Sequence, residues 1–425
     1  MTADRTGRDP AAPDRRPAAA AATASGDQAD GAGSEAIVIV GGGFGGLYTA
    51  LALSERPDHP PILLIEPQEQ FLFLPLLYEL LSGELRRWEI APRYDKLLAG
   101  RGIAWLQDRV ERIEPERRRL HTRCGRQLAY RQLVLACGGC GATYGVPGAD
   151  QHTLAFRSLA DVDRLQALVA RLARRSRPLQ RLAVVGAGPS GVELACKLAD
   201  LCAGSAVIDL IEQGPQLLPQ ARAFNREQAE LALRRRDVRV RTHTAVAAVD
   251  ADRLRLRHRA AAPGDTPLTL SEELLPVDGV IWTAGLVFRP PAIVPSAPQD
   301  GSGRLLCEPS LRLQGYPDLF VIGDLARPEP SDSPLPSTAQ VAFQQASLLA
   351  DNLLRARIGE PLQPFQWTDL GEMLSLGRQE ATLCAGGLTL AGRLAFQIRR
   401  LAYLSRMPGL PHTLRVAAGW LAEQR

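Results

Sequence analysis

Residues 37–46 read Ile-Val-Ile-Val-Gly-Gly-Gly-Phe-Gly-Gly, and no other stretch constrains the fold as tightly. An apolar β-forming run drives straight into glycines at Gly41, Gly43 and Gly46. That pattern opens a strand–turn–helix unit built to hold a dinucleotide. The first glycine makes the turn, the second lets backbone approach a pyrophosphate, and the third lets the helix pack on the strand. The helix N-terminus then offers free N–H groups and the positive end of its dipole. A second apolar run, Ile62–Ile65, ends in Glu66, 20 residues after Gly46. A carboxylate there can accept both hydroxyls of an adenosine ribose.

The same arrangement recurs. Leu182–Val185 leads into Gly186-Ala187-Gly188-Pro189-Ser190-Gly191, followed by a helical Val192–Leu201 and a strand Val207–Ile211 that ends at Glu212. Glu66 lies 25 residues after Gly41, and Glu212 lies 26 after Gly186. The chain is therefore expected to be α/β, with two Rossmann-like dinucleotide-binding units. Glu212 is followed by Gln213 rather than arginine, so its charge repels a 2′-phosphate and favours NADH over NADPH. Arg222 is the nearby residue that could reverse this preference by folding back.

Composition narrows the function. A net charge of +4 over 425 residues does not describe a binder of nucleic acid. The seven cysteines are odd in number and scattered, which points to a reducing compartment rather than a disulfide framework. No His/Cys cluster has metal-ligand spacing. Residues 1–34 are expected to be a disordered tail, too acidic for a transit peptide and without the apolar run of a secretory signal. No stretch of about 18 apolar residues predicts a spanning helix.

Between and after the two units, Phe71–Leu81 reads as apolar core. Ala104–Leu106, Val110–Ile113 and Arg119–Thr122 read as short antiparallel strands, and Leu133–Ala136 as a buried one. Arg157–Arg175 has helical periodicity. Ala260–Thr266 and Pro328–Pro336 are loops, the second partly polyproline II. Val280–Ile281 runs into Thr283-Ala284-Gly285, and Leu319–Ile322 into Gly323-Asp324. Thr338–Arg357 is a helix. A further amphipathic helix is expected through 390–406, with Leu390, Leu394, Ile398, Leu401 and Leu404 on one face and Arg399 and Arg406 opposite. Pro408 and Pro411 divide the C-terminal segment into two short helices.

These stretches together resemble the type II NADH:quinone dehydrogenases, members of the two-dinucleotide-binding-domain flavoproteins. The resemblance spans residues 35–425 and is carried by residues 37–46, Leu-Ile-Glu-Pro (64–67), Pro-Leu-Leu-Tyr-Glu-Leu (75–80), Ala-Val-Val-Gly-Ala-Gly-Pro-Ser-Gly-Val-Glu-Leu-Ala (183–195), Trp-Thr-Ala-Gly (282–285), Val-Ile-Gly-Asp (321–324) and Ala-Gln-Val-Ala-Phe-Gln-Gln (339–345). Residues 78–94 are similar to the branch in cyanobacteria and plastids that is associated with demethylphylloquinone reduction. The resemblance implies a discontinuous FAD domain (35–155 and 295–387), an NAD(P)H domain (156–294) and C-terminal membrane-surface helices (388–425). FAD would be held by Gly41, Gly43, Gly46, Glu66, Gly138, Gly323 and Asp324. NADH or NADPH would be held by Gly186, Gly188, Gly191, Glu212 and Gly285. Glu193 would sit near the nicotinamide–flavin contact. Gln340 and Gln344 would face a membrane quinone of naphthoquinone or plastoquinone type. A homodimer peripheral to the cytoplasmic face of a plasma or thylakoid membrane is the expected assembly. Cys137 stands where the family usually has threonine.

Several residues carry two readings. Glu193 is either a first-turn acid favoured by the helix dipole or a gate or proton carrier at the nicotinamide. Gln340 and Gln344, one turn apart, either cap the helix and meet solvent or bond quinone carbonyls, while Gln345 points elsewhere. Cys137-Gly-Gly-Cys140 is either small-residue packing or a redox dithiol, and the second would make the chain a sulfide:quinone or disulfide-type reductase. A slow redox sensor binding NADH and FAD is a third possibility. The C-terminal helix either packs on the body or lies on an anionic leaflet.

Overall fold

The computed structural model describes residues 35–174, 180–259, 270–330 and 335–422. The tail 1–34, the loop at Ala260–Thr266 and the centre of the proline-rich loop lie outside the described residues.

The first fingerprint strand, Ile37–Val40, lies at the centre of a five-stranded parallel sheet. Its order is Leu319–Val321, Gln132–Leu135, Ile37–Val40, Ile62–Ile65, Ile103–Leu106. Strands covered on both faces need continuous apolar runs, and Ile37, Val38 and Ile39 are all fully buried. The strand at 319–321 returns to this sheet from beyond the second unit, so the first unit is assembled from two separated stretches of chain. The segment expected to be antiparallel at Ala104–Leu106 is instead the parallel edge, Ile103–Leu106, in register with Ile62–Ile65. The physical reason is the connection. Residues 66–102 form a long crossover, which is what parallel neighbours require. Val110–Glu114 and Arg119–Thr122 are antiparallel as expected.

The second unit repeats the plan. Arg239–Arg241, Val207–Ile211, Arg181–Val185 and Gly279–Trp282 form a four-stranded parallel sheet. A three-stranded antiparallel sheet, Thr244–Val249, Arg253–Arg259 and Leu270–Pro276, is attached to it. The expected helix at 157–175 runs over Leu159–Ala173. Ser158 and Asp161 close its N-terminus as a reciprocal capping box. Fingerprint helix Phe44–Ser54 shares a core with helix Ala339–Ile358 through Leu47, Leu349 and Leu353.

The C-terminal region departs from expectation twice. Residues 388–392 are not helical. They form the third strand of a meander, Glu372–Ser375, Ala381–Ala385 and Leu388–Gly392. Gly386 and Gly387 make the two-residue turn, with φ of 55° and 82°, values that glycine adopts without strain. The helix therefore starts at Arg393 and ends at Leu404, and a second runs over Leu410–Ala422. The second departure is Arg399. It lies opposite the leucines as expected, but on the buried side of the helix: it is 1% exposed, while Leu394 and Leu401 are 62% and 63% exposed. The inward face carries Ala395 and Phe396 beside Arg399, and a counter-charge waits for the arginine in the interior. Among the described residues no helix is long and apolar enough to cross a membrane.

Candidate functional site

The two glycine turns have the same architecture. In the first, a Cβ on Gly41 would lie 2.5 Å from the Ala136 carbonyl oxygen, and one on Gly46 would lie 1.8 Å from that of Gly41. In the second, a Cβ on Gly191 would lie 1.8 Å from the Gly186 oxygen, and one on Gly186 would meet Ala284 at 2.9 Å. The middle glycines differ in kind. Gly43 and Gly188 would place a Cβ with nothing within 4 Å. Their space is kept open although neither backbone needs glycine, with φ of −65° and −69°. Each turn is therefore sealed by packing at its outer glycines and left open where a pyrophosphate would come against the helix N-terminus. These cradles fit FAD and NAD(P)H.

Glu66 and Glu212 complete the repeat. Glu66 accepts from the N–H of Gly42 at 2.7 Å and of Gln68 at 2.9 Å. Glu212 accepts from the N–H of Ala187 at 2.8 Å and of Gly214 at 2.7 Å. Each carboxylate thus stitches its strand end to its glycine turn, and its remaining lone pairs stay available to a ribose. Burial pushes Glu66 upward, and the Gln68 and Gly42 N–H groups and Arg109 oppose that shift. Tyr94 donates to the Gly42 carbonyl at 2.7 Å. Arg222 is not turned toward Glu212. Its guanidinium pairs with Asp369 at 2.7 Å.

Other expected residues lie at the edges of these cradles. Gly138, Gly285 and Gly323 all have positive φ, 62°, 78° and 73°. Burial raises Asp324, and the charges of Arg157 and Arg304 hold it down. Two residues were missed by sequence reasoning. Gln345, expected to point elsewhere, is fully buried and accepts from the Gly323 N–H at 2.8 Å. Thr283 donates to the Val185 and Gly186 carbonyls at 2.9 and 3.1 Å, tying Trp-Thr-Ala-Gly to the second turn. Both sit inside motifs already quoted, which was the available signal.

Glu193 is not a first-turn surface acid. It is the fifth residue of helix Pro189–Cys202, is 8% exposed, and accepts from the Ser375 N–H at 2.7 Å. Burial pushes it up to about 7, against the nearby Arg399 charge. Gln340 and Gln344 do share a face, but both amides are spent on backbone. Gln344 exchanges hydrogen bonds with Thr368 at 2.8 and 3.1 Å, and Gln340 reaches Gly371 and Leu370 at 3.4 Å. They fasten segment 368–371 beside the helix, where Phe343, Trp367 and Leu370 are exposed. Cys137 is exposed as a residue, but its thiol donates to the Val40 carbonyl at 3.6 Å, and desolvation there, with Glu66 adding, pushes it up to about 12. That is the opposite of a reactive thiolate.

An aromatic wall links the first turn to the C-terminal helices. Phe44, in the fingerprint itself, meets Phe71 and Phe73 at 5.3 and 5.1 Å. Phe73 meets Tyr403 at 5.6 Å, and Tyr48 meets Phe343 at 4.9 Å.

Fold and site define a protein with two matched dinucleotide cradles. Comparison with known proteins agrees. The family described as pyridine nucleotide-disulphide oxidoreductase matches residues 35–346. The chain is 37% identical over 394 residues to the demethylphylloquinone reductase of Synechocystis, covering 91% of this chain and 95% of that protein. It is 34% identical to an alternative NAD(P)H-ubiquinone oxidoreductase of Arabidopsis thaliana, covering 91% and 80%. The fold superposes on NDH2 from Plasmodium falciparum, solved with NADH, with a TM-score of 0.79 at 17% identity over 92% of this chain and 98% of that one. The chain belongs to the pyridine nucleotide-disulphide oxidoreductases and, within them, to the type II NADH:quinone dehydrogenases.

Proposed function

We propose that this chain is a flavoenzyme that oxidises NAD(P)H and reduces a quinone, with demethylphylloquinone as the substrate suggested by its Synechocystis relative. The observation that carries the reading is the pair of matched cradles, each open only at its middle glycine. A bound FAD would supply the two-electron relay between nicotinamide and quinone. Overall, NAD(P)H, one proton from solvent and a quinone give NAD(P)⁺ and a hydroquinone. The chain's residues orient and exclude. Gly41, Gly43, Gly46 and Glu66, with Gly138, Gly323 and Asp324, would hold FAD. Gly186, Gly188, Gly191, Glu212 and Gly285 would hold the nicotinamide nucleotide.

Glu193 holds the proton that the quinone needs, since burial pushes its carboxyl up to about 7. Gln340 and Gln344 shape the quinone entrance by pinning segment 368–371, and the aromatic wall supplies an apolar approach. The exposed leucines of the C-terminal helices support seating on a lipid surface. Cys137 and Cys140 take no part, so serine at both positions leaves turnover in place. The homodimer belongs to the same reading, and sedimentation of the purified protein tests it. The decisive experiment compares steady-state NADH oxidation with a naphthoquinone and with ferricyanide. Turnover with both supports the quinone site. Turnover with ferricyanide alone removes it and leaves the redox-sensor reading.

A further inference from the structure

The helix Arg393–Leu404 carries Arg399 into the buried interior of the molecule. Arg399 pairs with the Glu79 carboxylate, donates to the Pro75 carbonyl at 2.8 Å, and comes within 3.9 Å of Glu193. Its guanidinium lies 4.8 Å from the Tyr403 ring centre. Glu79 is fully buried. Four separate parts of the chain therefore meet here: the Pro75–Leu81 stretch, the second fingerprint helix, the meander and the C-terminal helix. Tyr78 and Glu79 face Glu193 from the first, Ser375 N–H from the meander, and Arg399 and Tyr403 from the last. On Glu193's own helix, Cys196 is nearby and Lys197 is buried but committed to Glu84.

Two buried carboxylates share one guanidinium. With both ionised, a net negative charge would sit in a medium that solvates it poorly, so the cluster favours keeping one proton. Glu79 has the direct contact with Arg399. Glu193 has the longer one and takes the proton.

We propose that Arg399 and Glu79 are positioning residues that set the protonation state of Glu193, so that seating of the C-terminal helix fixes the proton held at the centre. This rests on the reading of Glu193 as the proton-holding group in quinone reduction. Arginine stays charged throughout the working range. It therefore tunes Glu193 without donating a proton itself.

The test uses full-length, FAD-loaded protein. Stopped-flow reoxidation of the reduced enzyme by menadione is followed against pH, and thermal midpoints are measured over the same range. Arg399→Met removes the cation and should move the Glu193 limb up by about one pH unit or more. Glu79→Gln removes the competing anion and should move it down by a similar amount. Arg399→Lys should restore the wild-type position. Opposite shifts from two neighbours of one group are not what a packing role would give. If Arg399→Met does not fold, Glu79→Gln decides alone: a downward shift supports the inference, and an unmoved limb overturns it. If the limb vanishes in Glu193→Gln yet both other variants leave it in place, the inference falls and the role of Glu193 stands. If Glu193→Gln leaves the kinetic limb unchanged, the role of Glu193 falls, and the pH dependence of the thermal midpoints still decides the coupling: the same opposite shifts support it, and their absence overturns it.

Discussion

Trp420 donates its indole N–H to the Glu89 carboxylate at 2.8 Å, across 331 residues of sequence. Around that bond the last helix is clasped to the body. His412 bonds the Glu89 carbonyl at 2.9 Å, Arg415 lies 4.7 Å over Trp88, and Arg400 lies 4.2 Å over Trp420. Trp420→Ala removes the buried ring and one of the hydrogen bonds to a carboxylate that is 1% exposed. Such a loss costs on the order of 3–5 kcal/mol. At a chain end that cost unseats the helix before it unfolds the domain. Limited trypsin digestion should cut at Arg406 and Arg415 about tenfold faster while the body survives. An unchanged digestion pattern would count against the clasp.

Gly188 and Gly191 separate binding from packing. A Cβ at Gly188 meets no protein atom within 4 Å, while one at Gly191 would overlap the Gly186 carbonyl at 1.8 Å. Gly188→Ala should fold with an unchanged thermal midpoint and raise the KM for NADH by about tenfold, roughly 1.4 kcal/mol. Gly191→Ala should lose about 1–3 kcal/mol of stability or more through overpacking. Equal loss of stability in both would refute the open cradle.

On the proposed reading Glu212 sets the choice of nucleotide. It closes the strand end of the second cradle, and Arg222 is held away by Asp369 at 2.7 Å. Wild-type enzyme should prefer NADH over NADPH by about tenfold or more in kcat/KM, the cost of placing a 2′-phosphate beside a carboxylate. Glu212→Ala should lower NADH efficiency and bring the ratio toward one. The same change frees the Ala187 and Gly214 N–H groups, so a small drop in thermal midpoint should accompany it.

The glycines and their acidic partners were legible because their demands are local: a tight turn, a close approach, a carboxylate at a strand end. Residues whose partners lie far along the chain were not. Gln340, Gln344 and Gln345 look alike in sequence, and only the fold shows that the third reaches Gly323. The burial of Arg399 was not legible because helical periodicity separates polar from apolar faces without saying which one is inward. That depended on Glu79, 320 residues away. The direction of Ile103–Leu106 was equally beyond reach, since a four-residue apolar run carries no sign of parallel or antiparallel pairing. The Gly386-Gly387 hairpin was a readable signal that the helical reading of 390–406 overrode.

The outward leucines make the last prediction. Leu394, Leu401, Leu410, Leu414 and Leu421 are 60–69% exposed, and burying one fully is worth about 1.5–3 kcal/mol. A leaflet would recover much of that, and exposed Arg393 and Arg415 would add attraction to anionic headgroups. Purified enzyme should therefore co-sediment with vesicles containing phosphatidylglycerol, and less well with purely zwitterionic ones or at high salt. Leu401→Glu with Leu414→Glu should abolish co-sedimentation. Because both side chains already face solvent, the thermal midpoint should stay within about 2 °C, the span of a change below 0.5 kcal/mol. Turnover with a water-soluble naphthoquinone should persist while turnover with a vesicle-embedded long-chain quinone falls. Equal binding by the double variant would assign those leucines to a protein partner or a second copy of the chain instead of lipid.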